Sequence, residues 1–408
     1  MSLDSFEAIR PYRDSEVPAV VERLMESEAL IQGIIHLRYP KVPRYLEKPL
    51  TRFVRYRLHQ ALGNVSTVAE FQELMGTFLE KTIDNTMTEF TCGGVESLAP
   101  GQPYVFISNH RDITLDSALL NYSLFKNGHE SAEIAIGDNL LVNPLVADML
   151  RLNKSFVVNR SAKGIKEKFA ALTELSRYIF HTHENQRSVW IAQREGRAKN
   201  GEDVTDPAIL KMLHVWAKKQ GMSFSDTMRH FRIVPVSVSY EYDPCDGLKA
   251  AELAARDQAA VSEQDYIKSN AEDFESIMRG ISQPKGRVHL QFGDVLSGDY
   301  ETPAAAASAI DEQIVSNYRL YPSNWFACDQ LLTRQQPLKA LRELSAEKLQ
   351  HWLQTARLSQ SQMNLSAQDL AQQAREFRER LSAYSEQVQQ YILEMYANPV
   401  INKYRYQP

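Results

Sequence analysis

Between residues 91 and 300, short apolar runs recur at the spacing of strands, with amphipathic stretches between them. The runs are Tyr104–Ser108, Glu133–Ile136, Ser155–Val158, Ser188–Ala192, Ile233–Tyr240 and Val288–Phe292. Each is four to eight residues long, and several are apolar throughout, as strands covered on both faces are. Ile165–Phe180 lies between two of them, with Ile165, Phe169, Leu172 and Ile179 on one helical stripe. A further helix starts at Asp206-Pro207, a cap followed by proline in the first turn, and stops near Gly221. Strands alternating with helices predict an α/β fold, a mixed and mostly buried sheet flanked by helices.

The flanks read differently. Residues 1–90 have helical periodicity: Val17, Val20, Val21, Leu24 and Met25 share a face, and Thr67 with Glu70 has capping-box spacing ahead of Phe71, Leu74, Phe78 and Leu79. After Gly298 there is no glycine, and 303–318, 337–357 and 366–396 read as helices, Ser366 capping the longest. The expected organisation is a helical N-terminal domain (1–90), an α/β catalytic domain (91–300) and a helical C-terminal extension (301–408). The 408 residues exceed what one compact core usually holds.

Composition narrows the function classes. A formal charge of −5 argues against general nucleic-acid binding. No apolar run approaches the ~20 residues of a membrane-spanning helix, and the polar start MSLDSFEAIRPYRDSE is unlike a signal peptide. Cys92, Cys245 and Cys328 are scattered, which suits reduced thiols in a cytoplasm and no zinc site. His181-Thr-His183 alternates without a third ligand and reads as a helix end, so no metal is expected.

Chemistry concentrates in Phe106-Ile-Ser-Asn-His-Arg-Asp-Ile-Thr-Leu-Asp116. An apolar strand runs into Asn109-His110, and an apolar helix follows Asp116. Side chains there project from the carboxyl edge of a sheet, where α/β folds bind ligands. A histidine beside a carboxylate can act as a general base with its tautomer fixed. On one continuous helix His110 and Asp116 would lie on different faces, so their pairing needs the turn that a strand-to-helix junction supplies. Asp112 is the alternative partner. The competing reading is a surface histidine with Asp116 serving only as a helix cap.

Four ordered blocks resemble the catalytic domain of the glycerolipid acyltransferases, the glycerol-3-phosphate and 1-acylglycerol-3-phosphate acyltransferase superfamily. They are Gly94–Pro100 with YVFISNH, Ala135–Pro144 through Asn153–Arg160, Ser188–Lys199 (SVWIAQREGRAK) and Ile233–Val238 (IVPVSV). The resemblance covers roughly residues 91–295. It implies acyl transfer from acyl-CoA or acyl carrier protein to a hydroxyl of a glycerol phosphate, with no other cofactor. It makes His110 the base and Asp116 its orienting group, with Asn109 and Gly196 in support. Arg160, Arg197 and Lys199 would hold the acceptor phosphate, although Arg194, Arg197 and Lys199 also read as a solvated cluster. This chain departs from the family by one extra residue between His110 and Asp116, and by Arg194-Glu195-Gly196-Arg197 in the third block. The rival functions are a non-catalytic acyl- or lipid-binding protein and an acyl thioesterase.

Residues 38–57 carry Arg38, Lys41, Arg44, Lys48, Arg52, Arg55 and Arg57 against Glu47 alone, interleaved with Tyr45, Leu46, Leu50, Phe53 and Val54. That pattern suits either a basic helix on anionic lipid or a helix packed on the domain with its charges in water. The expected location is cytoplasmic, with peripheral contact at the inner face of a membrane.

Overall fold

A computed structural model describes residues 6–39, 43–262, 266, 270–334 and 366–406. The helix expected over 337–357 lies outside the described residues. Four helices come first: α1 (Val17–Glu26), α2 (Glu28–Arg38), α3 (Arg44–Leu62) and α4 (Val68–Thr86). The α/β part then runs β1 (Met87–Gly93), β2 (Val105–Ser108), α5 (Leu115–Lys126), β3 (Glu133–Gly137), α6 (Pro144–Leu152), β4 (Ser155–Val158), α7 (Ile165–Glu184), β5 (Val189–Ala192), α8 (Pro207–Lys219), α9 (Phe224–Phe231), β6 (Ile233–Tyr240), α10 (Asp246–Val261), α11 (Asn270–Ser282) and β7 (Gly286–Phe292). It is followed by α12 (Pro303–Asn317), α13 (Pro322–Thr333), α14 (Ala367–Ser382) and α15 (Glu386–Tyr406).

The seven strands form one mixed sheet in the order β1-β7-β6-β2-β5-β3-β4. β6, β2, β5, β3 and β4 run parallel. β7 is antiparallel to β6, and β1 is parallel to β7. The carboxyl ends of five strands therefore share an edge with the amino ends of β1 and β7.

Alternation along the strands divides the core in two. Val105 and Ile107 face a layer containing Leu175 and Ile179 of α7, Leu213 of α8 and Ile310 and Ile314 of α12. Phe106, Trp190, Val234 and Val236 face Leu115, Leu119, Leu120 and Leu124 of α5 with Leu79 of α4. Both faces are covered, which is why β2, β4 and β5 are short unbroken apolar runs.

The flanking helices attach to this frame. β1 begins inside the stretch read as helical, because the apolar residues of MTEFTCG do not alternate: Met87 is out of phase with Phe90 and Cys92, across a register shift between Met87 and Glu89. Phe6 and Ile9 join the sheet core, and Ile9 accepts a backbone hydrogen bond from Val157 of β4 (2.8 Å). The single C-terminal helix read over 366–396 is broken near Ser385, although Ser366 does cap its start with a full capping box. Phe377, Leu381, Ile392, Leu393 and Val400 pack with Ala250, Trp325 and Leu331 into a separate core. The tail is thus docked on α10 and α13.

Candidate active site

β2 ends at Ser108, and Asn109 extends its pairing by one residue with its side chain. Asn109 Oδ1 accepts from the Val238 backbone N–H (2.7 Å), and Nδ2 donates to the Val238 carbonyl (3.0 Å). Its amide thereby reproduces a backbone ladder pair with β6. His110 follows, held at its own carbonyl by the Ala198 N–H (2.8 Å) from the loop after β5. The imidazole packs edge-on against Trp190, whose Nε1–H donates to Ser108 Oγ (3.0 Å).

The chain turns over residues 111–114 and enters α5, which puts Asp116 in the first helical turn. Asp116 Oδ2 lies 2.8 Å from His110 Nδ1 and accepts the backbone N–H groups of Arg111 (2.6 Å) and Asp112 (2.9 Å). Asp116 Oδ1 accepts the hydroxyl of Tyr240 at the end of β6 (2.9 Å). The carboxylate closes the turn, so the extra residue is absorbed without separating the pair. Burial, and then the Asp116 charge, push the Tyr240 phenol well above its ordinary pKa, so it remains a donor. With Nδ1–H directed at Asp116, Nε2 is the basic nitrogen, and it has no hydrogen-bond partner among the described residues.

Asp112, the alternative partner, is placed otherwise. Its Oδ1 accepts the N–H groups of Thr114 (2.9 Å) and Leu115 (2.8 Å), which braces the turn leading into α5. Its Oδ2 is buried without a hydrogen bond and lies where a Cβ on Gly280 of α11 would come within 2.4 Å. Burial and the neighbouring Asp116 raise its pKa.

The three basic residues are not equivalent. Gly196 turns the loop after β5 with φ +74°, and Arg197 folds inward until it is buried. Its Nη2 donates to Ser276 Oγ on α11 (3.2 Å), while Nη1 is buried with no hydrogen-bond partner among the described residues. Lys199 is ion-paired with Glu252 of α10 (2.9 Å). Arg160 is solvent-exposed, near Glu195 (3.4 Å), and lies across the end of β3, where a Cβ on Gly137 would stand 3.1 Å from its guanidinium carbon. His110 and Asp116 therefore form a hydrogen-bonded pair, with Asn109 next to it in the chain, and the basic residues are graded in burial from Arg197 through Lys199 to Arg160.

Behind this edge lies a charged layer that sequence reading missed. Arg111 pairs with Asp203 and stacks on Tyr318 (5.4 Å to the ring centre). Lys249 holds both Asp243 and the Arg111 carbonyl. Arg380 of α14 and the Tyr396 hydroxyl of α15 both bind Asp246 (2.8 and 2.9 Å). These partners lie up to 150 residues apart, so no local spacing could have signalled them.

Residues 89–239 match the acyltransferase family model. The chain is 31% identical over 279 residues to a glycerol-3-phosphate acyltransferase of Pseudomonas syringae pathovar tomato, covering 67% of this chain and 31% of that protein. It is 25% identical over 272 residues to a glycerol-3-phosphate acyltransferase of Ectopseudomonas mendocina, covering 66% of this chain and 29% of that one. Residues 89–239 belong to the glycerolipid acyltransferase superfamily. This chain spans about a third of the length of the curated relatives it matches. A solved structure, the 1-acyl-sn-glycerophosphate acyltransferase of Thermotoga maritima, aligns with 73% of this chain and 91% of its own at 11% identity and a TM-score of 0.34. The acyltransferase segment begins inside β1 and ends one residue before the end of β6, so it contains His110, Asp116, Arg160, Arg197 and Lys199. Ser276, Lys249 and Asp246 come from elements added after it.

Proposed function

We propose that this acyltransferase moves a fatty acyl group from acyl-CoA or acyl carrier protein to a hydroxyl of glycerol-3-phosphate or 1-acylglycerol-3-phosphate. The observation that carries the reading is the His110–Asp116 pair at the carboxyl edge of the sheet, with Nε2 unpartnered. The Nε2 lone pair takes the acceptor hydroxyl's proton as its oxygen attacks the thioester carbonyl, and Asp116 stabilises the imidazolium. The tetrahedral intermediate collapses, the C–S bond breaks, and the leaving thiolate takes the proton back from Nε2. A thioester is already activated, so no acyl-enzyme is required.

Arg197 is the main anchor for the acceptor phosphate, since a buried guanidinium nitrogen without a partner is costly unless a ligand completes it. Arg160 and Lys199 add charge from further out, and Asn109 and Gly196 set the backbone around them. The names of the curated relatives favour glycerol-3-phosphate as acceptor. No described helix is long and apolar enough to cross a membrane. The amphiphilic product and the basic α3, with Tyr45, Phe53 and Tyr56 exposed, fit a cytoplasmic enzyme meeting the inner face of an anionic membrane peripherally.

The test is thiol release from long-chain acyl-CoA and from acylated carrier protein, with and without each acceptor. Acceptor-dependent release that disappears in His110→Ala is expected. Release without acceptor would make the chain a thioesterase. Silence with both donors, with ligand affinity retained in His110→Ala, would make it a binding protein.

A further inference from the structure

The apolar stripe that sequence reading assigned to α7 is only half buried. Leu175 and Ile179 enter the core, but at the amino end Ile165 is 89% exposed and Phe169 57%, and Leu172 is also exposed. Every residue from Lys163 to Ala170 is exposed, so the first turns of α7 stand clear of the protein. Ile165, Phe169 and Leu172 follow i, i+4, i+7 spacing and share one face of the helix. None of the three packs into a core cluster.

Two further observations give this face a context. Val142, on the turn after β3, is 64% exposed. The loops that follow β3 and β4 are tied together by the Ser161 N–H bound to Asp138 Oδ2 (2.9 Å), which joins the segment leading to Val142 and the segment leading to α7 at one corner of the sheet. Lys163, Lys166 and Lys168 flank the apolar face against a single acidic residue, Glu167, which accepts the Lys163 backbone N–H (3.1 Å), and none of the three ammonium groups is paired with a carboxylate among the described residues. The corner lies on the carboxyl edge that carries His110, three strand spacings away, or about 14 Å.

We infer that the projecting amino-terminal turns of α7 are a membrane-insertion element, with Ile165, Phe169 and Leu172, joined by Val142, entering the interface of an anionic bilayer beside the active-site edge. A convex helix end exposed on all sides offers no groove to enclose a peptide or a single acyl chain. An apolar stripe flanked by unpaired lysines is complementary to a surface of negative headgroups over hydrocarbon. The element builds on the acyl-transfer reading only in giving the product a route into lipid. Membrane binding is measured without turnover, so the two readings fail separately.

The experiment is co-flotation of the full chain with phosphatidylcholine vesicles and with vesicles containing phosphatidylglycerol. Ile165→Glu/Phe169→Glu and Lys163→Glu/Lys166→Glu/Lys168→Glu are compared with the parent. The parent is expected to float with the anionic vesicles, and each variant to partition about tenfold less. Melting temperature and turnover of a water-soluble short-chain thioester should be unchanged, since these side chains are exposed and remote from His110. Equal flotation of parent and variants would place the contact elsewhere, for example on α3, and overturn the inference. No flotation of the parent would also overturn it. So would variants that float normally but lose transfer from acylated carrier protein, because the occupant would then be an acidic protein.

Discussion

The His110 corner and the Arg197 rim occupy the same sheet edge but are finished to different degrees. Around Asp116 four donors converge on two oxygens, and each comes from the chain itself. At Arg197 one guanidinium nitrogen has Ser276 and another, buried, has no partner among the described residues. The groups proposed to move a proton are held before any ligand arrives, whereas the group proposed to hold an anion is left incomplete. The contrast follows from the chemistry. A general base must be aligned in advance, while an anion site fully satisfied by protein would have no donors left to give.

The contrast can be broken most directly at His110. His110→Ala should lower acceptor-dependent turnover by about 10²–10⁴-fold with little change in melting temperature. Asp116→Asn should cost a similar factor, because the amide no longer fixes the tautomer. It should also destabilise the fold by about 1–3 kcal/mol, since an NH₂ group would face donor N–H groups; urea unfolding measures this. If Asp116→Asn destabilised without slowing turnover, the carboxylate would be a helix-start brace and nothing more.

Arg197→Lys comes next. It should raise KM for a phosphate-bearing acceptor by about 10–100-fold and leave neutral glycerol unaffected, because an ammonium cannot reproduce the planar fork. An equal loss with both acceptors would remove Arg197 from the anion site.

Asp112 sharpens the boundary between the two regions. Burial and the Asp116 charge raise its pKa, so its favourable contribution is present below the ordinary carboxyl pKa and lost as pH rises through the raised value. Asp112→Asn keeps the Oδ1 hydrogen bonds to Thr114 and Leu115 and removes that loss. The variant should therefore gain urea resistance over the parent as pH rises above the ordinary carboxyl range, with turnover nearly constant. A parent and variant with parallel pH profiles would contradict the raised pKa.

The smallest effect is expected at the outer rim. Gly137→Ala puts a methyl group against Arg160 and, at 2.4 Å, against Asn139 Oδ1. It should raise acceptor KM by only about 2–3-fold, and less at high salt, as exposed charges do. A loss as large as that of Arg197→Lys would show that the basic residues are not graded.

The parallel strands were legible because strands buried on both faces must be apolar throughout, and β2, β3, β4, β5 and β6 fall within a residue of the runs that mark them. β1 was not legible, because an outer strand with a register shift between Met87 and Glu89 keeps no regular alternation. The meeting of His110 with Asp116 could be anticipated from six residues of spacing and a turn. Tyr240, 124 residues from Asp116, and Ser276, 79 from Arg197, could not, since only the tertiary pairing of β6 and the path of α11 bring them in. The stripe on α7 was read correctly as a stripe but not as half solvent-facing. Periodicity shows which residues share a face and says nothing of what that face meets.

The strand order has a consequence for how this protein is made. β2, which leads directly into His110, lies between β5 and β6, and both emerge from the ribosome about 80–130 residues after it. Until then VFIS is an apolar segment with no partner on either edge, and Asn109 has no Val238 to bind. Such long-range parallel pairing is slow to form and leaves strand edges unprotected meanwhile. A nascent chain halted before β6 would carry the His110–Asp116 motif yet no assembled site, and would be a natural client for chaperones.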